Sequence, residues 1–152
     1  MLIQSLIGAV LIATTVIIHA VGTTFWVRYL ATRFMGEDGL VQLNRSLRIL
    51  VGTGLMLAAL HAIQISLWAI VYLNMPYTDE INSFETAVYF SFVTFTTLGY
   101  GDITLSESGR LLSGIQALNG ILLVGWSTAV LYAVVQILWH NDPSFSVSNK
   151  RR

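Results

Sequence analysis

Three long stretches of the 152-residue chain contain no Asp, Glu, Lys or Arg. They are Met1–Val27, Ile49–Thr78 and Leu111–Asn141. Each stretch is longer than the ~20 apolar residues that a helix needs to cross a hydrocarbon core about 30 Å thick. Because backbone that faces lipid must satisfy its own hydrogen bonds, these stretches predict helices. Charged residues make up 11% of the chain, where a soluble domain carries about a quarter. The sequence therefore predicts an all-α integral membrane protein with three spans.

The first stretch is interpreted as a retained helix, since it has no positively charged leading region and its apolar run is too long for a signal peptide. Seven of the eight basic side chains lie after this first stretch or at the C-terminus. They are Arg28, Arg33, Arg45, Arg48, Lys150, Arg151 and Arg152. Basic flanks favour the cytoplasm. The expected orientation in the cell membrane therefore has the N-terminus outside, with residues 28–48 and the polar tail 140–152 in the cytoplasm.

Several classes of function lack support in the composition. There is no cysteine, which excludes disulfides. The net charge is zero, which gives no indication of a nucleic-acid partner. The sequence contains no recognisable nucleophile–base pair, metal-ligand cluster or phosphate-binding loop. It therefore predicts a non-enzyme without a cofactor, whose surroundings are membrane lipid.

A short apolar run lies between the second and third stretches. Residues 83–96 are compatible with a helix but too few to span the membrane, and Asn82 precedes Glu85 by three residues, as an N-cap would. The glycine-containing stretch TFTTLGYGDIT of residues 94–104 follows. Non-helical backbone at membrane depth is tolerated only where it is buried in protein or lines a water-filled path. This order of segments favours a re-entrant helix and a pore.

Residues 96–102, TTLGYGD, resemble the T-V-G-Y-G-D selectivity filter of potassium channels. From Ile49 to Leu138 the pattern is similar to the two-helix pore unit of prokaryotic potassium channels. This resemblance implies an outer helix 49–75, a pore helix 83–96, a filter 97–102 and an inner helix 109–138, within a pore domain 49–139. Residues 1–48 add an N-terminal helix and its connection. The family assembles from four chains, so the resemblance implies a K⁺-conducting homotetramer.

The resemblance assigns roles within the filter. The backbone carbonyls of Thr97, Leu98, Gly99 and Tyr100, with the Thr97 hydroxyl, are expected to bind dehydrated K⁺. Gly99 and Gly101 allow backbone angles closed to other residues, and Gly101 completes the turn to the outside. The residues expected to support the filter are Thr96, Asp102 and Tyr89, with a hydrogen bond from Tyr89 to Asp102.

The last stretch contains candidate gating residues. The spacing from Gly109 to Gly120 resembles that between the start of the inner helix and its hinge glycine in the family. Close packing without hinging is the alternative interpretation of Gly120. The positions assigned to the cavity and lower gate, apart from Gly120, are Ile121, Val124, Gly125 and Thr128.

The chain departs from the family pattern in four places. Leu98 stands where valine is usual, and Val93 where some members have glutamate. The segment Ile103–Ser108 is one residue shorter than the usual spacer and lacks its proline. The N-terminal span is additional. Two other functions stay open at this point, namely a weakly selective cation channel and a non-conducting membrane subunit that retains the pore fold.

Polar residues within the spans have two interpretations each. His61, Gln64 and Trp68 share one helical face. His61 is either a proton sensor or a partner in an interhelical hydrogen bond, which His19 of the first span could reach. On the last span, Gln116 and Asn119 face either water or the region behind the filter.

Overall fold

The computed structural model describes residues 2–34, 43–75 and 80–140, and most of them are helical. The helices are α1 (Leu2–Phe34), α2 (Leu43–Leu73), α3 (Phe84–Phe95) and α4 (Glu107–His140). By length and composition, α1, α2 and α4 can each cross a membrane, whereas α3 is a shorter apolar helix. The three predicted spans and the half-helix are therefore confirmed. Residues 35–42 of the connection between the first two spans and the tail beyond residue 140 lie outside the described residues.

The spanning helices are longer than the charge-free stretches predicted. α1 continues through Arg28 and Arg33 to Phe34, and α2 begins at Leu43. A charged side chain limits the part of a helix that can be buried in hydrocarbon. It does not end the helix itself, because arginine is a good helix former. The 33 residues of α1 span about 50 Å at about 1.5 Å per residue. Both helices therefore extend beyond the hydrocarbon core at the end that carries the arginines.

The half-helix α3 begins one residue later than its sequence indicated. Ser83, with extended φ and ψ of −140° and 157°, is the N-cap. Its Oγ accepts a hydrogen bond from the Thr86 backbone N–H at 3.1 Å. The expectation that Asn82 caps the helix is wrong, because serine and asparagine cap about equally well and only the chain direction at the turn decides between neighbours. Glu85 then lies in the first turn, where a negative charge is favoured.

An apolar cluster holds α3 between α2 and α4. On α2, Trp68 stacks on Tyr72, and the Tyr72 ring meets the edge of Phe90 of α3 with centroids 5.0 Å apart. Leu112 of α4 is fully buried in the same cluster. Large aromatic side chains provide most of the contact area in such a core. The half-helix, and the loop that follows it, are therefore fixed against both neighbouring spans.

The additional helix α1 packs closely on the other two spans through two glycines. A Cβ at Gly8 would lie 2.8 Å from Cγ2 of Ile115 on α4. At Gly22 it would lie 2.7 Å from Cδ2 of Leu60 on α2. Small residues let membrane helices approach each other, since lipid provides little hydrophobic drive for association. The first span is thus packed against both helices of the predicted pore unit.

Candidate functional site

The loop after α3 begins as a tight continuation of the helix. The Thr97 N–H donates to the Thr94 carbonyl, and the Leu98 N–H donates to the Val93 carbonyl, each at 3.0 Å. The Thr96 hydroxyl bonds back to the Phe92 carbonyl at 2.8 Å. These bonds occupy carbonyls that would otherwise be unpaired at the end of the helix. The partial negative end of α3 is therefore placed directly at the start of the loop.

The loop backbone alternates in handedness. Thr97, Gly99 and Gly101 have φ values of +61°, +56° and +78°. In the described residues Thr97 is the only non-glycine residue with positive φ, so Leu98 and Tyr100 between them are not left-handed. Alternating left- and right-handed residues turn successive peptide groups so that their carbonyls gather on one side. The loop therefore has positive φ at every second residue, which is the pattern expected of a strand with its carbonyls on one side.

Thr97 is the part of this geometry that its sequence did not indicate. A left-handed conformation costs a residue with a Cβ about 1–2 kcal/mol, and a β-branched residue rarely adopts it. Strain of this kind persists where the surroundings impose it, and it clusters at functional sites. The local signal was the threonine two positions before the first glycine, which continues the alternate-residue spacing.

The alternating loop has an open surface. The side chains of Leu98 and Tyr100 are 55% and 67% exposed. An added Cβ at Gly99 or Gly101 would meet no atom within 4 Å. Two large side chains of this kind are normally covered in a finished membrane protein, by protein or by lipid. In the single chain, this side of the loop is therefore uncovered.

A hydrogen bond joins α3 to the far end of the loop. The Tyr89 hydroxyl donates to Oδ2 of Asp102 at 2.6 Å, so the expected contact is present. This bond, which favours the charged carboxylate, holds the pKa of Asp102 below its ordinary value. The same bond raises the pKa of Tyr89. The pair connects the loop to the middle of the half-helix.

The short segment after the loop is anchored at both ends. The Thr104 N–H donates to Oε2 of Glu80 at 3.1 Å, and Leu105 is buried in the apolar cluster. α4 starts at Glu107, two residues before the predicted Gly109. Because the last span begins early, the non-helical part of this segment is Ile103–Ser106.

A buried hydrogen-bond chain lies behind the loop. On α4, Gln116 donates through Nε2 to the Ser91 hydroxyl at 2.6 Å and to the Ser91 carbonyl at 3.1 Å. The Ser91 hydroxyl then donates to the Ile65 carbonyl of α2 at 2.9 Å. Of the two interpretations of Gln116, contact behind the loop is the one observed. Ser91 had not been singled out, although a serine within an apolar half-helix was the available signal.

Gly120 permits the closest approach between α4 and α3. A Cβ at this position would overlap the Phe95 carbonyl oxygen and lie 2.8 Å from its carbonyl carbon. This contact supports close packing as the reason for the glycine, and hinging at Gly120 stays a prediction. The four other residues assigned to the cavity and gate are all exposed in the single chain. They are Ile121, Val124, Gly125 and Thr128.

The polar residues of the spans meet, as their sequence positions suggested. The His19 and His61 rings stack with centroids 5.5 Å apart. Asn119 of α4 donates through Nδ2 to the Thr15 hydroxyl of α1 at 2.9 Å. His61 makes the expected interhelical hydrogen bond, with Ser127 of α4, whereas the bond from Asn119 to α1 was not predicted from its sequence. Together with the histidine stack, these contacts link α1 to both neighbouring spans.

Comparison with known proteins gives a consistent assignment. A family model described as "Ion channel" matches residues 58–137, more than half of the chain. The calcium-gated potassium channel TvoK of Thermoplasma volcanium is 39% identical over 61 residues, which are 40% of this chain and 17% of that protein. The voltage-gated potassium channel Kch of Escherichia coli K12 is 37% identical over 68 residues, 44% and 16% of the two chains. The chain thus spans less than a fifth of the length of these relatives, and no solved structure matches it. The matched region covers the second half of α2, all of α3 and most of α4, and it excludes α1.

Proposed function

Because the chain belongs to this ion-channel family, we propose that it forms a K⁺-selective channel through which ions pass passively in single file. The observation that carries the proposal is the left-handed backbone at Thr97, Gly99 and Gly101. It supports a strand whose carbonyls from Thr97 to Tyr100, with the Thr97 hydroxyl, replace the hydration shell of K⁺. Two matched relatives bear the names of potassium channels, which supports K⁺ as the ion.

A closed ring of carbonyls needs several copies of the strand. Each chain contains one TTLGYGD segment, and the exposed side chains of Leu98 and Tyr100 provide a surface for neighbouring copies. Closed rotational symmetry is the usual arrangement of identical chains. A homotetramer, in which four copies of residues 97–101 surround one axis, fits the resemblance to the two-helix pore unit.

The half-helix supports the choice of a cation. α3 ends at Phe95, next to the first strand residue, so the partial negative charge at its C-terminus lies at the inner end of the filter. No charged side chain is needed there, and a positive ion is favoured at the pore axis. Ile121, Val124, Gly125 and Thr128 would line the cavity below it, with Gly120 against the end of α3.

The proposed topology places the filter at the outer face. The arginines at the adjoining ends of α1 and α2 and the basic C-terminus are separated by two spans, so both lie on one side of the membrane. Basic residues favour the cytoplasmic side. The N-terminus and residues 97–102 then lie toward the outside of the cell membrane.

Two other functions are distinguished by ion measurements. Leu98 in place of valine and the short outer segment are the features that would favour a weakly selective cation channel. For that channel, the reversal potential in planar bilayers under opposed K⁺ and Na⁺ gradients would lie near zero. A K⁺-selective pore gives a reversal potential close to the K⁺ equilibrium value.

Rubidium flux into liposomes tests whether the protein conducts at all. Gly99→Ala places a Cβ on a residue with φ of +56°, which costs about 1–2 kcal/mol per chain, so we expect the flux to be lost. Gly54→Ala is the matched control, because its added Cβ meets nothing within 4 Å and its φ is ordinary. If the unaltered protein shows no flux, a non-conducting subunit is the better description.

A further inference from the structure

Four polar side chains from three helices form a closed ring inside the membrane. Nε2 of Gln64 lies 3.1 Å from Nδ1 of His19, and Nε2 of His19 lies 3.4 Å from Oγ of Ser127. That oxygen lies 2.9 Å from Nε2 of His61, whose Nδ1 lies 3.1 Å from Oε1 of Gln64. His19 and Gln64 are completely buried. Every polar atom of the ring therefore faces another member of the ring.

The position of each hydrogen in this ring follows from which atoms can donate and which can accept. The Gln64 amide nitrogen also lies 3.4 Å from the Thr15 carbonyl oxygen, and this contact orients the amide. Nδ1 of His19 must then accept, so the hydrogen of His19 is on Nε2 and points to the Ser127 oxygen. The Ser127 hydroxyl donates to Nε2 of His61, and Nδ1 of His61 donates to Gln64. When both imidazoles are neutral, they are therefore opposite tautomers.

A proton added to His19 cannot be accommodated without breaking the ring. It would sit on Nδ1 and set two donors against each other at the contact with the Gln64 amide nitrogen. Turning the Gln64 amide around would remove that conflict, but it would point the Gln64 oxygen at the Thr15 carbonyl. A proton on His61 is tolerated, because the Ser127 oxygen has two lone pairs and can accept from both imidazoles. The ring therefore stays closed only while His19 is uncharged.

The other groups that contact these imidazoles carry no charge. Trp126 of α4 meets His19 edge-on, and Phe95 of α3 meets His61, each with centroids 5.5 Å apart. On each helix, the charged residue of the described chain nearest in sequence is at least nine positions away, about 13 Å along the axis. These residues are Arg28 on α1, Arg48 on α2, Glu85 on α3 and Arg110 on α4. No described carboxylate is placed to pair with an imidazolium in the ring.

We propose that this ring is a proton-released latch, which holds the inner helix α4 together with α1 and α2 while His19 is neutral and opens at the His19–Gln64 contact when His19 is protonated. Ser127 is adjacent to Thr128 of the proposed gate, and His61 contacts Phe95 at the base of the filter. Opening the ring therefore changes the hold on both parts of the pore. The effect on conduction rests on the proposed channel function, whereas the chemistry of the ring does not.

Nitrogen NMR of the protein in lipid bilayers tests the ring without any measurement of conduction. With ¹⁵N-labelled histidine, we expect His19 to carry its hydrogen on Nε2 and His61 on Nδ1 at neutral pH. His19→Gln and His61→Gln each remove one set of signals and so assign them. On acidification the His19 tautomer pattern should give way to that of an imidazolium. Identical tautomers for the two residues, or an imidazolium at His19 at neutral pH, would overturn the proposal.

Single-channel recording tests the latch in the working channel. Acidifying the cytoplasmic side from pH 8 to pH 5 should change the open probability by about two- to tenfold, the equilibrium effect of losing one hydrogen bond. Ser127→Ala removes two contacts of the ring and should make the open probability nearly independent of pH. Ser113→Ala is the matched control, since the Ser113 hydroxyl bonds only the Arg110 carbonyl of its own helix, and it should keep the response.

The outcomes separate the latch from the channel function. A conducting protein with no pH response, or a full response in Ser127→Ala, overturns the latch. The expected tautomers and the loss of the His19 pattern in acid, found in a protein that passes no K⁺, would uphold the ring chemistry and reject the proposed function. If Ser127→Ala does not assemble, the NMR result on the unaltered protein decides.

Discussion

One side-chain hydrogen bond holds the end of the loop that follows Gly101. The Tyr89 hydroxyl reaches across from α3 to the Asp102 carboxylate, so one hydrogen bond joins the half-helix to the residue that follows the last glycine. Both side chains are solvent-exposed. Such a bond is strongest while the carboxylate is ionised, since a charged acceptor shortens and strengthens the contact.

Removing the Tyr89 hydroxyl should raise the pKa of Asp102 toward its ordinary value. The bond favours the carboxylate, so its stabilisation is present above the ordinary aspartate pKa and is lost as the pH falls through the lowered folded value. Carbon NMR of labelled aspartate, with Asp102→Asn to identify the signal, measures the titration of Tyr89→Phe. Tyr132→Phe, which removes a hydroxyl that accepts from Gln136, is the control. An unchanged Asp102 titration in Tyr89→Phe would show that the bond is absent in the membrane.

Between elements, the contact of α4 with the end of α3 leaves no space for a side chain. The backbone of Gly120 faces the Phe95 carbonyl, and an added Cβ would overlap it. Backbone atoms cannot move aside as a flexible side chain can, so a larger residue must push the two helices apart. The distance between α3 and α4 therefore depends on this one glycine.

Gly120→Ala should destabilise the protein by about 1–3 kcal/mol, the usual cost of overpacking a core. Thermal unfolding in detergent, followed by tryptophan fluorescence, measures this effect. Gly114→Ala on the same helix is the matched control, because its added Cβ meets nothing within 4 Å. Equal stability of the two variants would contradict the close contact and favour a hinge at Gly120.

The features that sequence predicted at this scale are those set by local chemistry. Absence of charge located three spans, and alternate glycines located the loop. The predicted helix ends were less accurate. Arg33 does not end α1, and the choice between Asn82 and Ser83 as the N-cap is not decided by local sequence. Ser91 and Ser127 obtain their partners from helices that are distant in sequence, so no pattern within their own segments could identify them.

At the scale of the whole molecule, the three spans and the half-helix define which surfaces share a side of the membrane. The outer segment with Asp102 and Thr104 lies at one end of the bundle, and the arginine-bearing ends of α1 and α2 lie at the other. The absence of cysteine makes labelling of introduced thiols unambiguous.

Thr104→Cys should react with an impermeant maleimide in intact cells, whereas Thr32→Cys should react only after permeabilisation. This result is expected because basic residues favour the cytoplasmic side. Both side chains are exposed, so burial does not explain a failure to react. The reverse pattern would overturn the orientation and with it the outward placement of the filter.

The order of synthesis determines when the interhelical polar contacts of α1 can form. α1 leaves the ribosome first and enters the bilayer carrying Thr15 and His19, whose partners Gln64, Asn119 and Ser127 follow 45 to 108 positions later. Until α2 arrives, the ring nitrogens of His19 face lipid or the insertion machinery with no partner from the chain itself, which is costly in hydrocarbon. Since its last contacts come from α4, α1 waits the longest of the four helices for all its partners.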